Sequence, residues 1–159
     1  MKIKIYAIGK IKEAYLKEGI NEYLTRIKPY SNIEIIEVKD EPIVDNPSSK
    51  DIEKAKVNEG SRVIKLLKPN EYLIALDLNK KQFKSEEFAD FLMQKFVENG
   101  SNISFVIGGS YGLSDELKAR SNYSLSLSNL TFLHQMSRLI LLEQIYRAFK
   151  IINKEVYHK

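Results

Sequence analysis

The chain contains no cysteine. Disulfides, thiolate metal sites and a cysteine nucleophile are excluded, and the absence suits a reducing compartment. No run of about 18 uncharged apolar residues occurs, so no membrane-spanning helix is expected. The start, Met1-Lys2-Ile3-Lys4-Ile5, lacks the apolar stretch of a signal peptide,. Together these absences give the expectation of a cytoplasmic protein with no membrane attachment. There is no internal repeat and no low-complexity tract. Histidine is scarce, with only His134 and His158.

What is present is ordinary globular material. The 159 residues are 43% hydrophobic and 29% charged, enough for one domain with a real core and too few for two. Twenty-five basic residues against 21 acidic ones leave a net charge of +4. Such a mild excess permits an anionic partner such as RNA without demanding one.

Strand-like and helix-like segments alternate along the chain. Lys2 to Ile8 alternates and stops at Gly9, which predicts a strand. Tyr15, Leu16, Ile20, Tyr23, Leu24 and Ile27 recur at helical spacing within Lys12 to Lys28,, and Pro29 ends that helix. Ile33 to Val38 predicts a second strand. A turn-rich loop from Asp40 to Ser49 precedes a helix over Lys50 to Leu67, with Ser49 as its cap. The continuous apolar run Tyr72 to Leu78 suits a strand buried on both faces. A helix opening at Ser85 ends at Asn99-Gly100. A strand over Ile103 to Ile107, a short helix over Ser114 to Arg120, a strand over Tyr123 to Leu127 and a long helix over Phe132 to Ile152 complete the chain. This order predicts an α/β domain, a mostly parallel sheet flanked by helices. Such sheets bind ligands at the carboxyl ends of their strands. That points to Leu76-Asp77, Gly108 and the stretch from Leu127 onward.

Gly108-Gly109-Ser110-Tyr111-Gly112 sits between a strand and a helix. Three glycines in five residues imply special backbone angles or close approach of a ligand to the main chain. A bare tight turn fits the same residues. A dinucleotide loop does not: the G-x-G-x-x-G pattern is absent, and Asp115 and Glu116 in the next helical turn would repel a pyrophosphate. No P-loop lysine follows. Gly108-x-Ser110-x-Gly112 also matches a nucleophile elbow, though Asp115 is badly placed as the acid of a triad. A phosphate-free cofactor with its adenosine against the backbone, such as S-adenosylmethionine, is the third reading.

The Phe132 to Ile152 helix is apolar on more than one stripe, yet Arg138, Glu143, Arg147 and Lys150 interrupt it. A helix of this kind is buried from several sides. One face is expected against the sheet and another against a second subunit, which predicts a homodimer. His134 and Arg138 share a helical face, as do Glu143 and Arg147. Each of these residues alone also fits a structural role: an ion pair, a helix start or, for His158, a solvated tail.

Three segments in combination identify a family. They are Phe105-Val-Ile-Gly-Gly-Ser-Tyr-Gly-Leu113, Leu125-Ser-Leu-Ser-Asn-Leu-Thr-Phe-Leu-His-Gln-Met136, and Leu142-Glu-Gln-Ile-Tyr-Arg-Ala-Phe149 with the ending Tyr157-His158-Lys159. The whole chain closely resembles the small bacterial SPOUT-class enzymes that methylate N3 of a pseudouridine in 23S ribosomal RNA. One departure is Leu133, where the family usually has proline. The resemblance implies a parallel sheet with a C-terminal trefoil knot, a homodimer, S-adenosyl-L-methionine as cofactor and no metal. It implies cofactor contacts at Leu76, Gly108, Leu127, Ser128, Asn129, Leu130, Thr131 and Phe132. It implies a catalytic set of His134, Arg147, Tyr157 and His158, with the tail completing a site across the dimer. The implied substrate is 23S rRNA within the assembled ribosome.

Overall fold

The computed structural model describes residues 1–157; His158, one of the expected site residues, lies outside them. Five strands form a single sheet: β1 (Lys2–Ile8), β2 (Asn32–Val38), β3 (Leu73–Lys81), β4 (Asn102–Ile107) and β5 (Tyr123–Leu125). Their order is β2-β1-β4-β3-β5, and every pairing is parallel. Five helices connect and follow them: α1 (Ala14–Ile27), α2 (Ser49–Leu66), α3 (Ser85–Glu98), α4 (Asp115–Arg120) and α5 (His134–Ile152).

The period-two geometry of a strand divides the core. Ile3 and Ile5 of β1 face a core shared with α1, α3 and α5, while Tyr6 and Ile8 face a smaller core with Val63 of α2 and Leu117 of α4. The sheet is therefore covered on both sides, as its continuous apolar strands require. α5 is flanked by α1 and α3 on the larger side. Much of its apolar breadth is used within the chain. Leu133, Met136 and Ile140, spaced at i, i+3 and i+7, belong to neither core.

Several boundaries shift from the sequence expectation, three of them for a clear local reason. α2 is capped by Ser48, not Ser49: its Oγ accepts from the Asp51 amide at 3.1 Å, and Asp51 Oδ2 accepts from the Ser48 amide at 2.9 Å. The reciprocal box needs an acid at the third helical position, and Asp51 supplies it. α5 begins at His134, not Phe132, and Leu133 gives it no side-chain cap. β5 stops at Leu125 because the next residue, Ser126, turns its side chain into β3: its Oγ donates to the Asp77 carbonyl and accepts from the Lys80 amide.

That last contact belongs to an irregularity in β3. Leu76 and Lys81 both pair with Leu125, so Asp77 to Lys80 bulge out of register. Asn79 has φ +57 at the bulge. The strand was expected to end at Leu78; instead it resumes after the bulge and runs to Lys81.

Candidate functional site

A cleft of about 940 Å³ opens at the carboxyl ends of β3, β4 and β5, where a parallel sheet places its ligands. Four segments build it. The β3 bulge supplies Leu76 to Lys80, the β4 end supplies Ile107 and the glycine loop, the stretch after β5 supplies Leu127 to Leu133, and α5 supplies His134 and Ser137.

The glycine loop is a tight turn folded on itself. The Gly112 amide donates to the Gly109 carbonyl at 3.1 Å, and Gly112 has φ +87, a left-handed conformation that favours glycine. Gly108 runs directly against Gly112. A β-carbon on Gly108 would lie 2.7 Å from the Gly112 carbonyl carbon, closer than packed atoms tolerate. Gly108→Ala is therefore expected to cost about 1–3 kcal/mol of stability through overpacking, read as a lower urea midpoint with an unchanged slope.

α4 starts just beyond the loop. Its first turn is capped by Ser114, whose Oγ accepts from the Leu117 amide at 3.2 Å, and carries the exposed acids Asp115 and Glu116. With a filled cap and two negative charges, this helix start is unsuited to a phosphate. The loop's Ser110 is exposed, and among the described residues it makes no side-chain hydrogen bond, so no base or acid addresses it as a triad would require,. The elbow match is one of letters alone.

Of the residues expected at a cofactor, Leu76, Gly108, Leu127, Ser128, Leu130, Thr131 and Phe132 all line the cleft. Asn129 does not; its Oδ1 instead accepts from the Gln82 side chain. Ser128 Oγ accepts from the Leu130 amide at 3.0 Å, which turns the segment around the opening. The cleft also contains residues that local sequence did not mark: Lys56 from α2, and Lys118 of α4 paired with Asp77 at 3.5 Å. Ser137 was findable, because it stands three residues after His134 on the same helical face. Lys56 was not; nothing near it in the sequence brings α2 to the cleft.

His134 stands at the edge of the cleft in the first turn of α5, half-buried. Burial, chiefly, pushes its pKa below the ordinary histidine value; the Arg138 charge acts in the same direction, as does Lys12, while Asp40 opposes them. The imidazole is thus neutral over a wider pH range than usual.

Arg147 and Tyr157 lie together elsewhere. The Arg147 guanidinium sits 4.8 Å over the Tyr157 ring. Glu143 Oε1 accepts from both, from Arg147 Nη2 at 2.5 Å and from the Tyr157 hydroxyl at 3.1 Å. The Tyr157 hydroxyl also pairs with that of Tyr23 at 3.3 Å. Burial and these partners push the Tyr157 pKa up, and Glu143 pushes that of Arg147 up. The pair stands about 20 Å along α5 from His134 at 1.5 Å rise per residue. Among the described residues, the expected catalytic groups thus fall in two places, His134 at the cleft and Arg147 with Tyr157 apart from it. Among the described residues, no group of three or more His, Cys, Asp or Glu is placed to hold a metal ion, and no helix is long and apolar enough to cross a membrane.

Known proteins align with this chain over its full length. Two relatives, each called ribosomal RNA large subunit methyltransferase H, come from Carboxydothermus hydrogenoformans and Acetivibrio thermocellus. Each is 52% identical over 159 residues and is matched over 100% of both chains. A Legionella pneumophila methyltransferase solved with bound SAM shares the fold at TM-score 0.50 and 13% identity. That match covers 94% of this chain and 66% of the other. The family model described as "Predicted SPOUT methyltransferase" matches residues 1–158, and the chain belongs to that family.

Proposed function

We propose that this chain transfers a methyl group from S-adenosylmethionine to N3 of a pseudouridine in large-subunit ribosomal RNA, acting in the cytoplasm as a homodimer. The observation that carries the reading is the 52% identity, over the full length of both chains, with relatives named for rRNA methylation. The cleft fits a donor of this kind. Its glycine loop is packed so closely that only main chain lines it at Gly108, and its neighbouring helix start rejects phosphates. Leu76, Gly108 and the stretch Leu127 to Phe132, with Asn129 on its outer side, would hold the cofactor. When bound, S-adenosylmethionine supplies an electrophilic methyl group.

The protein's own residues then have three tasks. The N3 of pseudouridine is a weakly acidic imide whose lone pair is not free until its proton leaves. A neutral imidazole at the cleft edge suits that removal, and His134 fills this role. Negative charge then develops on the flanking carbonyl oxygens, and the Arg147 fork suits two such acceptors. Tyr157 offers an aromatic face to an unstacked base, and His158 extends the same tail.

In one chain, however, Arg147 and Tyr157 lie far from His134. A second copy would supply them. The stripe Leu133, Met136 and Ile140 outside both cores, with Leu130 and Leu133 exposed by 72% and 57% beside the cleft, offers the apolar surface for that copy. No metal is needed for this chemistry.

The net charge of +4 is a mild one for a protein that acts on bare RNA,. The substrate is therefore a shaped one, rRNA within the assembled ribosome. Incubation of unmethylated ribosomes with the protein and labelled cofactor, followed by mass mapping of rRNA nucleosides, is expected to yield one methylated pseudouridine. A naked stem-loop transcript is expected to react far more slowly. Equal rates would remove the ribosome requirement, and an unmodified rRNA would overturn the reading.

A further inference from the structure

We propose that Arg138 is a positioning residue for methyl transfer: it pins the first turn of α5, and with it the His134 imidazole, to the carboxyl end of β1. This rests on His134 being the base.

Arg138 is 2% exposed, the largest fully buried side chain among the described residues. Burying a guanidinium is costly unless its donors are met. Here they are met by groups from two strands and a loop. Nη1 donates to Glu37 Oε2 of β2 at 2.8 Å, and Nη2 donates to the carbonyls of Ile8 at 3.3 Å and Gly9 at 2.6 Å. Gly9 has φ +93, and its amide donates to Val38 at 2.8 Å. The main chain therefore turns sharply out of β1 just where the guanidinium catches it.

A second stitch lies beside the first. Gln135 Oε1 accepts from the Lys12 amide at 3.2 Å, and Glu37 Oε2 accepts from the Ile11 amide at 3.2 Å. Two consecutive turns of α5 thus hold the loop from Gly9 to Lys12. This anchorage matters because α5 has no side-chain cap and no acid in its first turn. A helix start left with unpaired amides frays. His134 is the first residue of that helix, so its imidazole is only as well placed as the anchorage allows.

The same contact sets the field around the imidazole. Arg138, one turn on in α5, and Lys12, from the β1–α1 loop, oppose its protonation; Asp40, from the β2–α2 loop, favours it. Arg138 is held in place by Glu37, so its charge cannot swing away.

The test uses the intact dimer, assembled ribosomes and two variants. Arg138→Met removes the charge and the fork. Single-turnover rate is expected to fall about 10- to 100-fold, the scale of a small misplacement of a reacting group, while the KM for S-adenosylmethionine stays near wild type. The acid limb of the pH–rate profile is expected to move to higher pH. So is the His134 imidazole titration followed by NMR, in a His158→Ala background that leaves one histidine signal. Arg138→Lys keeps the charge but loses the fork. It is expected to keep the wild-type titration while the rate stays low.

Wild-type titration in Arg138→Met, or full rate in Arg138→Lys, would overturn the proposal. If Arg138→Met does not fold, Arg138→Lys decides alone. The NMR titration reads the Arg138 effect even if another group is the base, so failure of the His134 assignment is seen separately, as an unaffected rate in His134→Ala.

Discussion

His134→Ala is expected to slow single-turnover methylation by about 100-fold or more, the usual range for losing a general base, with little change in the urea unfolding curve. The imidazole is half-buried at the edge of the cleft and makes no side-chain hydrogen bond among the described residues, so its loss leaves no buried partner unmet. For the same reason, cofactor affinity by calorimetry is expected to change little. The pH dependence of the wild-type rate carries the same signature. A base must be unprotonated to act, and the His134 pKa lies below the ordinary 6.5 because of burial and then Arg138. The rate is expected to hold down to a pH below that value before it falls. A wild-type rate in His134→Ala would move the proton-accepting role to another group.

Phe149→Ala is expected to destabilise the protein by about 3–5 kcal/mol, the range for deleting a buried aromatic. Phe149 is 1% exposed and stands at the junction of three helices. Its ring stacks on Tyr30 at 5.6 Å and 9° beyond the end of α1, and faces Phe96 of α3 at 6.2 Å. Its removal would loosen α5 from both neighbours at once. Urea denaturation measures the cost directly. A loss under about 1 kcal/mol would mean that the three helices collapse freely onto the cavity, contrary to the close packing of folded cores.

The two residues illustrate how unevenly the molecule could be read from its sequence. β1 matches its expected span of Lys2 to Ile8 because alternation and Gly9 both report local geometry. The parallel sheet follows from strands too apolar to face water on either side. The cleft position follows from that sheet, and the glycine loop from its own composition. The β3 bulge was invisible, since Asp77 to Lys80 leave the ladder through Ser126, a residue 49 positions from Asp77. The Ser48 cap was missed by one residue because Ser48 and Ser49 are chemically identical, and only Asp51 distinguishes them. Lys56 and Lys118 reach the cleft through the packing of α2 and α4, which no local pattern records. The separation of Arg147 and Tyr157 from His134 is likewise a matter of helix length: the family motifs name the residues but not how far apart the fold sets them.

Arg138 joins positions 129 residues apart when it binds the Gly9 carbonyl, and Gln135 joins positions 123 apart when it binds the Lys12 amide. Contacts of this span form late, because the intervening chain must first be closed into a loop. During synthesis, the first strand emerges long before the helix that secures its end. The cleft therefore cannot be completed on a growing chain. While being made, the protein is therefore never competent to transfer a methyl group.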